Sequence, residues 1–499
     1  MARIVVIGAG VAGLAVAARL RVKRHDVTIV EQATTYGGKL ASTRHGAFVF
    51  DTGPSLLTLP AVYRDLFNKT GRALEESVDL RPVDPGFGYH FADGTHLTMP
   101  GVDPGRCAQA LGDAFGGRAA ADWRALMQRA AAVWSLTRGP VLSSPVAGAR
   151  DLLPLARRPQ DLRAVAPWRS LHSLGRSHFA DPRLVTLLDR YATYTGADPR
   201  RAPAALVTIP YVEQLFGAWH LGGGLATLAD ALAERCRERG VQLRLGTEVV
   251  QVTADGGRVT GVALAGGERL AADVVVADTD ARQLYTELVP SDRRLRGAVR
   301  RVSRATASSS GFSLLLALRG RDPKLLHHNV FFPADYDAEF DALFGRDPRP
   351  VDDPAIYICN PDDDAMRPPD GQAWSVLVNA PRHGSAAAQD GTVDWRAPGV
   401  AEAYADHLLA VLARRGVDIR DRVLWRAIRT PADIAADTHS PGGAIYGSAS
   451  NGPRAAFLRP ANRSPLPGLF LVGGSAHPGG GLPLVGLSAE IVADLVGRA

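Results

Sequence analysis

The sequence predicts an α/β fold, a parallel sheet flanked by helices with an α+β domain inserted into it, and three stretches of chain make that prediction. A short β-branched run, Arg3-Ile4-Val5-Val6-Ile7, feeds into Gly8-Ala9-Gly10-Val11-Ala12-Gly13 and then an Ala/Leu-rich helical segment. Near the other end, Leu469-Phe470-Leu471-Val472 leads into a second glycine loop, Gly473 to Pro483, and an apolar helix from about Val485 to Val496. Residues 101–204 differ from both: Ala, Leu and Arg alternate in amphipathic pieces broken by Pro and Gly. The chain thus carries two strand–glycine–helix units hundreds of residues apart, and 101–204 reads as an inserted, mostly helical segment that could cover a substrate.

The first unit has the full context of the G-x-G-x-x-G fingerprint. Gly8 allows the tight turn, Gly10 lets backbone approach a pyrophosphate, and Gly13 lets the helix lie close on the strand. The helix start then offers free N–H groups and partial positive charge to phosphates. A second strand, Val27 to Val30, ends in Glu31, 18 residues after Gly13, where a carboxylate would accept hydrogen bonds from a ribose. The fingerprint names a dinucleotide but not which one.

Downstream, Tyr36-Gly37-Gly38-Lys39 reads as a close main-chain approach to a ligand, and Asp51-Thr52-Gly53-Pro54 as a turn with a rigid exit. Trp123 to Trp134 and Asp151 to Arg169 are expected helices of the insertion, placed to cover a substrate. Ala218 to Gly224 leads into a helix from Leu225 to Arg239. Three strands follow, Gln242 to Thr253, Arg258 to Ala265 and Glu268 to Ala277, joined by Asp255-Gly256-Gly257 and by Gly266-Gly267. Val274 to Ala277 is apolar enough for a buried sheet strand. The aromatics Phe331, Phe332, Tyr336, Phe340 and Phe344 read as packed core.

Composition narrows the class. A chain of 499 residues exceeds one compact core and should divide into two domains or more. Its formal charge of +6 favours anionic surfaces but is too mild to imply nucleic acid. Cys107, Cys236 and Cys359 form no C-x-x-C pair, which fits a reducing cytosol without disulfides. No histidine spacing matches a metal-binding motif, and adjacent His327 and His328 would diverge on a strand, so no metal is expected. A strand within three residues of Met1 leaves no room for a leader, and no run of about 18 apolar residues would span a bilayer. Ser291 to Arg304 carries Arg293, Arg294, Arg296, Arg300, Arg301 and Arg304, read either as a solvated helix face or as a contact with anionic lipid head groups.

Taken together, the fingerprint, Gly37-Gly38-Lys39, Phe50-Asp51-Thr52-Gly53-Pro54 and Gly473 to Ser488 resemble the FAD-dependent phytoene desaturase family, carotenoid desaturases of the amine-oxidase-like flavoprotein superfamily. Within it, Gly442 to Gly447 and Gly473-Gly474-Ser475-Ala476-His477-Pro478-Gly479 look most like hydroxycarotenoid 3,4-desaturases. Many flavoproteins of the superfamily carry an Asp where Gly474 stands; carotenoid desaturases commonly lack it.

The resemblance implies FAD, held by a Rossmann-type domain of residues 1–100, 205–300 and 425–499, with a partly helical, membrane-facing substrate domain of 101–204 and 301–424. It maps Gly8, Gly10, Ala12 and Gly13 to the pyrophosphate and Glu31 to the adenosine ribose. Val249 would meet the adenine through its main chain. Gly38, Lys39, Gly53, Pro54, Gly473, Gly474, Gly481, Leu482 and Pro483 would lie about the ribityl chain and ring system. It further implies oxidation of an apolar polyene by hydride transfer to flavin N5 and proton loss, giving a C=C bond. Asp151 beside Arg150, or His220, would take the proton. Oxygen or a quinone would accept the electrons, at the inner face of the cell membrane, with no nucleic acid partner. Alternatives are a flavin oxidase of an amine or other secondary metabolite, a polyene saturase or isomerase, and a non-catalytic polyene carrier.

Overall fold

A computed structural model describes residues 1–384, 392–452 and 459–499. At its centre five parallel strands lie in the order Leu469–Leu471, Val274–Ala277, Arg3–Ile7, Asp26–Val30 and Gln242–Arg244. The period of two along Arg3–Ile7 sorts its side chains to opposite layers. Ile4 and Val6 face a helical layer, and Val5 and Ile7 face a small antiparallel sheet. Being covered on both sides is why this strand is an unbroken apolar run. The helical layer is Val11–Val22, buried nearly all round, with Thr227–Glu238 and Leu482–Val496 packed against it. The small sheet is Val249–Asp255, Arg258–Leu264 and Arg269–Ala271.

Two expected strands divide here. The run from Gln242 breaks at Gly246, whose φ of +62° turns the chain from the parallel sheet into the antiparallel one. The run from Glu268 likewise gives Arg269–Ala271 to the small sheet and Val274–Ala277 to the central one. Apolar periodicity is the same on both sides of each break, so it carries no mark of the change of partner. The hairpins at Gly256-Gly257 and Gly266-Gly267 join the strands as expected.

The second sheet has seven strands, in the order Val423–Arg429, Ser310–Arg319, Gly371–Ala380, Ile356–Cys359, His328–Phe331, Phe87–His90 and His96–Met99. Its far edge is drawn from residues placed above in the 1–100 segment, because the Phe87–Met99 hairpin pairs in parallel with His328–Phe331. Its other edge strand, Val423–Arg429, crosses the boundary set at 425. Over this sheet sit the helices Pro104–Phe115, Ala119–Thr137, Leu171–His178, Pro182–Arg190 and Thr208–Phe216. Asp103 and Asp181 cap two of them, each followed by Pro at the first helical position. Trp123, Leu126, Leu174 and Leu187 are fully buried in their core, together with Phe332 and Phe340. Among the described residues no helix is long and apolar enough to cross a membrane.

Candidate functional site

All but one of the central strands deliver a candidate residue to the same crevice, at their C-terminal ends. Gly8 follows Arg3–Ile7, Glu31 follows Asp26–Val30, Asp278 follows Val274–Ala277, and Gly473 comes just after Leu469–Leu471. The Glu31 carboxylate accepts from the Ala9 N–H at 2.7 Å and the Ala33 N–H at 2.8 Å, which fixes it at the mouth of the glycine turn. The Thr247 N–H bonds to the Glu31 carbonyl at 2.8 Å, so the segment leading to Val249 passes the same point.

Asp278 is the residue that sequence reasoning missed. Its carboxylate accepts from the Gly13 N–H at 2.8 Å. A Cβ on Gly10 would stand 2.6 Å from its Oδ2, and one on Gly473 2.3 Å from its Oδ1. Gly13 has no room either, since a Cβ there would lie 2.2 Å from the Gly8 carbonyl oxygen. Asp278 therefore ties both glycine turns together, with Ala12 buried alongside. Burial pushes its carboxyl up to about 8, against the Gly13 N–H and the Lys39 charge, while Glu31 adds to the rise. The signal was available: Asp278 ends a parallel strand at the crevice edge.

Gly38 packs on Gly10, where a Cβ would stand 3.3 Å from the Gly10 Cα. Gly53 fits only as glycine, because a Cβ there would lie 1.7 Å from the Lys39 carbonyl oxygen. Pro54 follows it out of the turn. Lys39 is buried, which lowers its pKa, and its Nζ donates to the Ala444 and Ile445 carbonyls at 3.0 and 2.9 Å. It thus clips the cofactor side to the Gly442–Gly447 segment.

A second missed residue, Arg459, completes that clip. Its guanidinium donates to the carbonyls of Tyr446 (2.8 Å), Gly474 (3.0 Å) and Ser448 (3.0 Å), and burial brings its pKa down to about 10. A lone arginine outside any motif gave no sign of this. Past Gly474 the loop is held by Asn462 and Ser488, which both donate to the His477 carbonyl at 2.8 Å. Gly481 then caps the Leu482–Val496 helix, with Pro483 in its first turn. A Cβ on Gly481 would meet nothing within 4 Å, so the helix start faces open space.

The opposite wall is aromatic and polar by turns. The Ser55 hydroxyl, beside Pro54, is 2.8 Å from the Tyr357 hydroxyl, which is 2.8 Å from His328 Nδ1. Phe87 stacks on His328 at 5.0 Å, and the Arg190 guanidinium lies 4.9 Å from the Phe87 ring. Tyr446 packs against Gly480 of the glycine loop. His220 is buried, its Nε2 bonded to Asp363 at 2.9 Å, and its ring meets His327 edge-on at 4.8 Å. Burial lowers the pKa of His220, His327 and His328, that of His327 down to about 3.

Asp151 and Arg150 take no part in the contacts described so far. Both are exposed, and the Asp151 carboxylate is engaged in capping, accepting from the Ala147 and Gly148 N–H groups at 2.8 and 3.0 Å. A helix-start carboxylate and a catalytic one look alike in sequence. The expectation for the two histidines also differs from the structure. Only His328 lies in the strand, so the rings of His327 and His328 converge to 4.5 Å. With Cys359 their ligand atoms lie within 4.8 Å of one another; burial pushes the Cys359 thiol up to about 12.

The six arginines from Arg293 to Arg304 are all exposed. Arg294 pairs with Asp292 at 3.4 Å. Arg300, Arg301 and Arg304 border a cavity of about 750 Å³ whose inner end reaches Asp280 and Ser475.

Comparison with known proteins fits this geometry. Residues 11–497 match the model of the flavin containing amine oxidoreductase family. The chain is 34% identical to a hydroxyneurosporene desaturase of Rubrivivax gelatinosus, over 99% of this chain and 92% of that one. It is 32% identical to a zeta-carotene-forming phytoene desaturase of Myxococcus xanthus, over 99% and 93%. Among solved structures, an oxidoreductase from Methanosarcina mazei superposes with a TM-score of 0.65 at 16% identity, covering 99% of this chain and 100% of that one, which speaks for the fold. A glycine-lined crevice at the ends of parallel strands and a match over the whole length agree: the chain belongs to the flavin-containing amine oxidoreductases, within their branch of FAD-dependent carotenoid desaturases.

Proposed function

We propose that this protein is an FAD-dependent carotenoid desaturase, introducing a C=C bond into an apolar polyene. The observation that carries the reading is the convergence of Gly10, Gly13 and Gly473 on the Asp278 carboxyl, which brings two glycine turns together at the strand ends where any Cβ would collide. The family match supports FAD as the occupant. In this reading Gly8, Gly10, Ala12 and Gly13 hold the pyrophosphate, Glu31 the ribose and Val249 the adenine. Gly38, Lys39, Gly53, Pro54, Gly473, Gly474, Gly481, Leu482 and Pro483 surround the ribityl chain and ring. The free start of the Leu482–Val496 helix offers N–H groups and a positive dipole end to negative charge.

When bound, FAD supplies the acceptor for the two electrons that leave the substrate as hydride. The chain's own residues must hold the polyene dry and take the remaining proton. The buried imidazoles serve that need better than Asp151. Nε2 of His328 and of His327 are buried without a hydrogen-bond partner, and Tyr357 fixes the His328 ring from the other side. His327 packs ring on ring between His328 and His220, and His220 is bonded to Asp363. A proton accepted at His328 Nε2 can be balanced by one leaving from Nδ1 through the Tyr357 hydroxyl to Ser55.

The exposed arginines support attachment to an anionic membrane surface at the cytoplasmic face, from which an apolar substrate enters. Oxygen or a membrane quinone would take the electrons onward. The reading is tested by expressing the protein in cells that accumulate defined carotenes and following pigment spectra. A red shift with one precursor is the expected result; unchanged spectra with every precursor would refute it.

A further inference from the structure

We propose that His327, His328 and Cys359 form a binding site for a zinc-class divalent cation, and that an ion bound there stalls the reaction by occupying His328. Binding stands on its own; the stall rests on the desaturase reading and deepens it.

The register of two neighbouring strands builds the site. In the antiparallel pair His328–Phe331 and Ile356–Cys359, His328 lies directly opposite Cys359. Side chains so placed share one face of the sheet, with their Cβ atoms about 5 Å apart. His327 precedes the strand and escapes its alternation, and the Asn360 N–H bonds to its carbonyl at 2.8 Å. Its ring turns toward that of His328, with centroids 4.5 Å apart. One ligand atom from each of the three residues consequently lies within 4.8 Å of the other two.

The nitrogen donors are uncommitted. Nε2 of His327 and Nε2 of His328 are both buried without a hydrogen-bond partner. Buried polar atoms are rarely left in that state, and two beside a buried thiol point to a ligand that accepts lone pairs. Two nitrogens and one sulfur, with no carboxylate among them, suit zinc and disfavour magnesium and calcium. Cys359 enters as its thiol, and coordination expels the proton to solvent, so an S–H bond is exchanged for a metal–sulfur bond. With bonds of about 2.0–2.3 Å to a tetrahedral ion, the ligand atoms sit about 3.5 Å apart, so side-chain rotation must draw them in by about 1 Å at most. Water takes the fourth position. The buried Asp51 carboxyl acts on Cys359 through its charge, and it offsets the positive charge that one thiolate leaves on the ion. His327 is only partly buried, which opens an entry path.

Occupation disables His328 from either side. At Nε2 the ion takes the lone pair that would receive the substrate proton. At Nδ1 it displaces the Tyr357 hydroxyl, 2.8 Å away, that fixes the ring. Desaturation then stops with the flavin still bound.

FAD-loaded, chelator-treated protein is titrated with Co2+, a spectroscopic stand-in for zinc. Wild type should bind one Co2+ per chain and develop the ligand-field bands of a tetrahedral thiolate site, to the red of the flavin absorbance. Zn2+ should erase those bands, and Mg2+ should neither produce nor erase them. Cys359→Ser should keep its metal-free turnover and need at least about a hundredfold more Zn2+ for the same occupancy. Saturating Zn2+ should slow carotene turnover by wild type about a hundredfold and spare Cys359→Ser at the same concentration. Bands in wild type with no turnover of any carotene would count against desaturation and leave the site standing. Bands in wild type with turnover untouched by Zn2+ overturn the stall. Absence of the bands in wild type, or their persistence in Cys359→Ser, overturns the site. Flavin content and melting temperature report whether Cys359→Ser folds; if it does not, His327→Gln and its weakened Co2+ binding carry the test.

Discussion

The Asp278 carboxylate accepts a hydrogen bond from the Gly13 N–H at 2.8 Å, bringing an acid to the spot where the glycine turn would otherwise present its donors to a phosphate. Burial raises this group from 3.8 to about 8. Between those values the folded protein holds a proton here that the unfolded chain has released, so stability must fall as pH rises through the window. Melting curves of the flavin-free protein should show that decline from about pH 5 to pH 8, and Asp278→Asn should flatten it, raising the pH 8 midpoint by a few degrees, on the order expected for about 1 kcal/mol or more. An unchanged pH profile in Asp278→Asn would assign the decline to other groups.

Gly10 faces the same carboxylate, and a Cβ there would lie 2.6 Å from it. Gly10→Val should therefore displace Asp278 or the turn and abolish the yellow colour of the purified protein. A Gly10→Val protein with a full flavin complement would separate this turn from cofactor binding.

The buried imidazoles predict a contrast between two variants. His328→Gln removes the proposed proton acceptor while keeping a polar group of similar reach, and should lower turnover about a hundredfold or more with flavin content preserved. Asp151→Asn, at an exposed cap, should leave turnover within a few-fold and lower stability by about 1 kcal/mol at most. The reverse pattern in kcat would return the role to Asp151.

The exposed arginines set a fourth expectation. Replacing Arg296, Arg300 and Arg304 together by Glu should release the protein from anionic vesicles in sedimentation, since each cation near such a surface contributes about 1 kcal/mol. Wild-type binding should weaken with salt and vanish on neutral vesicles. Equal sedimentation with both vesicle types would remove the arginines from membrane attachment.

What was legible in the sequence followed from backbone chemistry. Glycines at fixed spacing after an apolar strand mark a close approach, and Gly8, Gly10, Gly13, Glu31 and Gly473 all gather at one crevice. What was not legible depends on distant partners. Arg459 acquires its role only when the carbonyls of Tyr446, Ser448 and Gly474 converge on it. The Phe87–Met99 hairpin was likewise placed with its neighbours in sequence, whereas its pairing is with His328–Phe331. Asp151 is exposed, and its Oδ2 accepts from the Ala147 and Gly148 N–H groups, a local capping role that the sequence does not distinguish from a catalytic one.

The direction of electron flow gives the last prediction. A nicotinamide-dependent flavoprotein reductase commonly carries a second dinucleotide fold. The other triple-glycine stretch, Gly222 to Gly224, follows the three-residue strand Trp219–Leu221, which pairs antiparallel with Leu80–Pro82 and not within a parallel sheet. The expected reductant of the flavin is then the substrate, with oxygen or a quinone expected to reoxidise it. In an anaerobic cuvette, polyene in liposomes should bleach the flavin absorbance, and NADPH should leave it nearly unchanged. Admitting oxygen or a soluble quinone should restore the band. Rapid bleaching by NADPH with no response to any carotenoid would reverse the assignment, making the protein a reductase or saturase of the same fold.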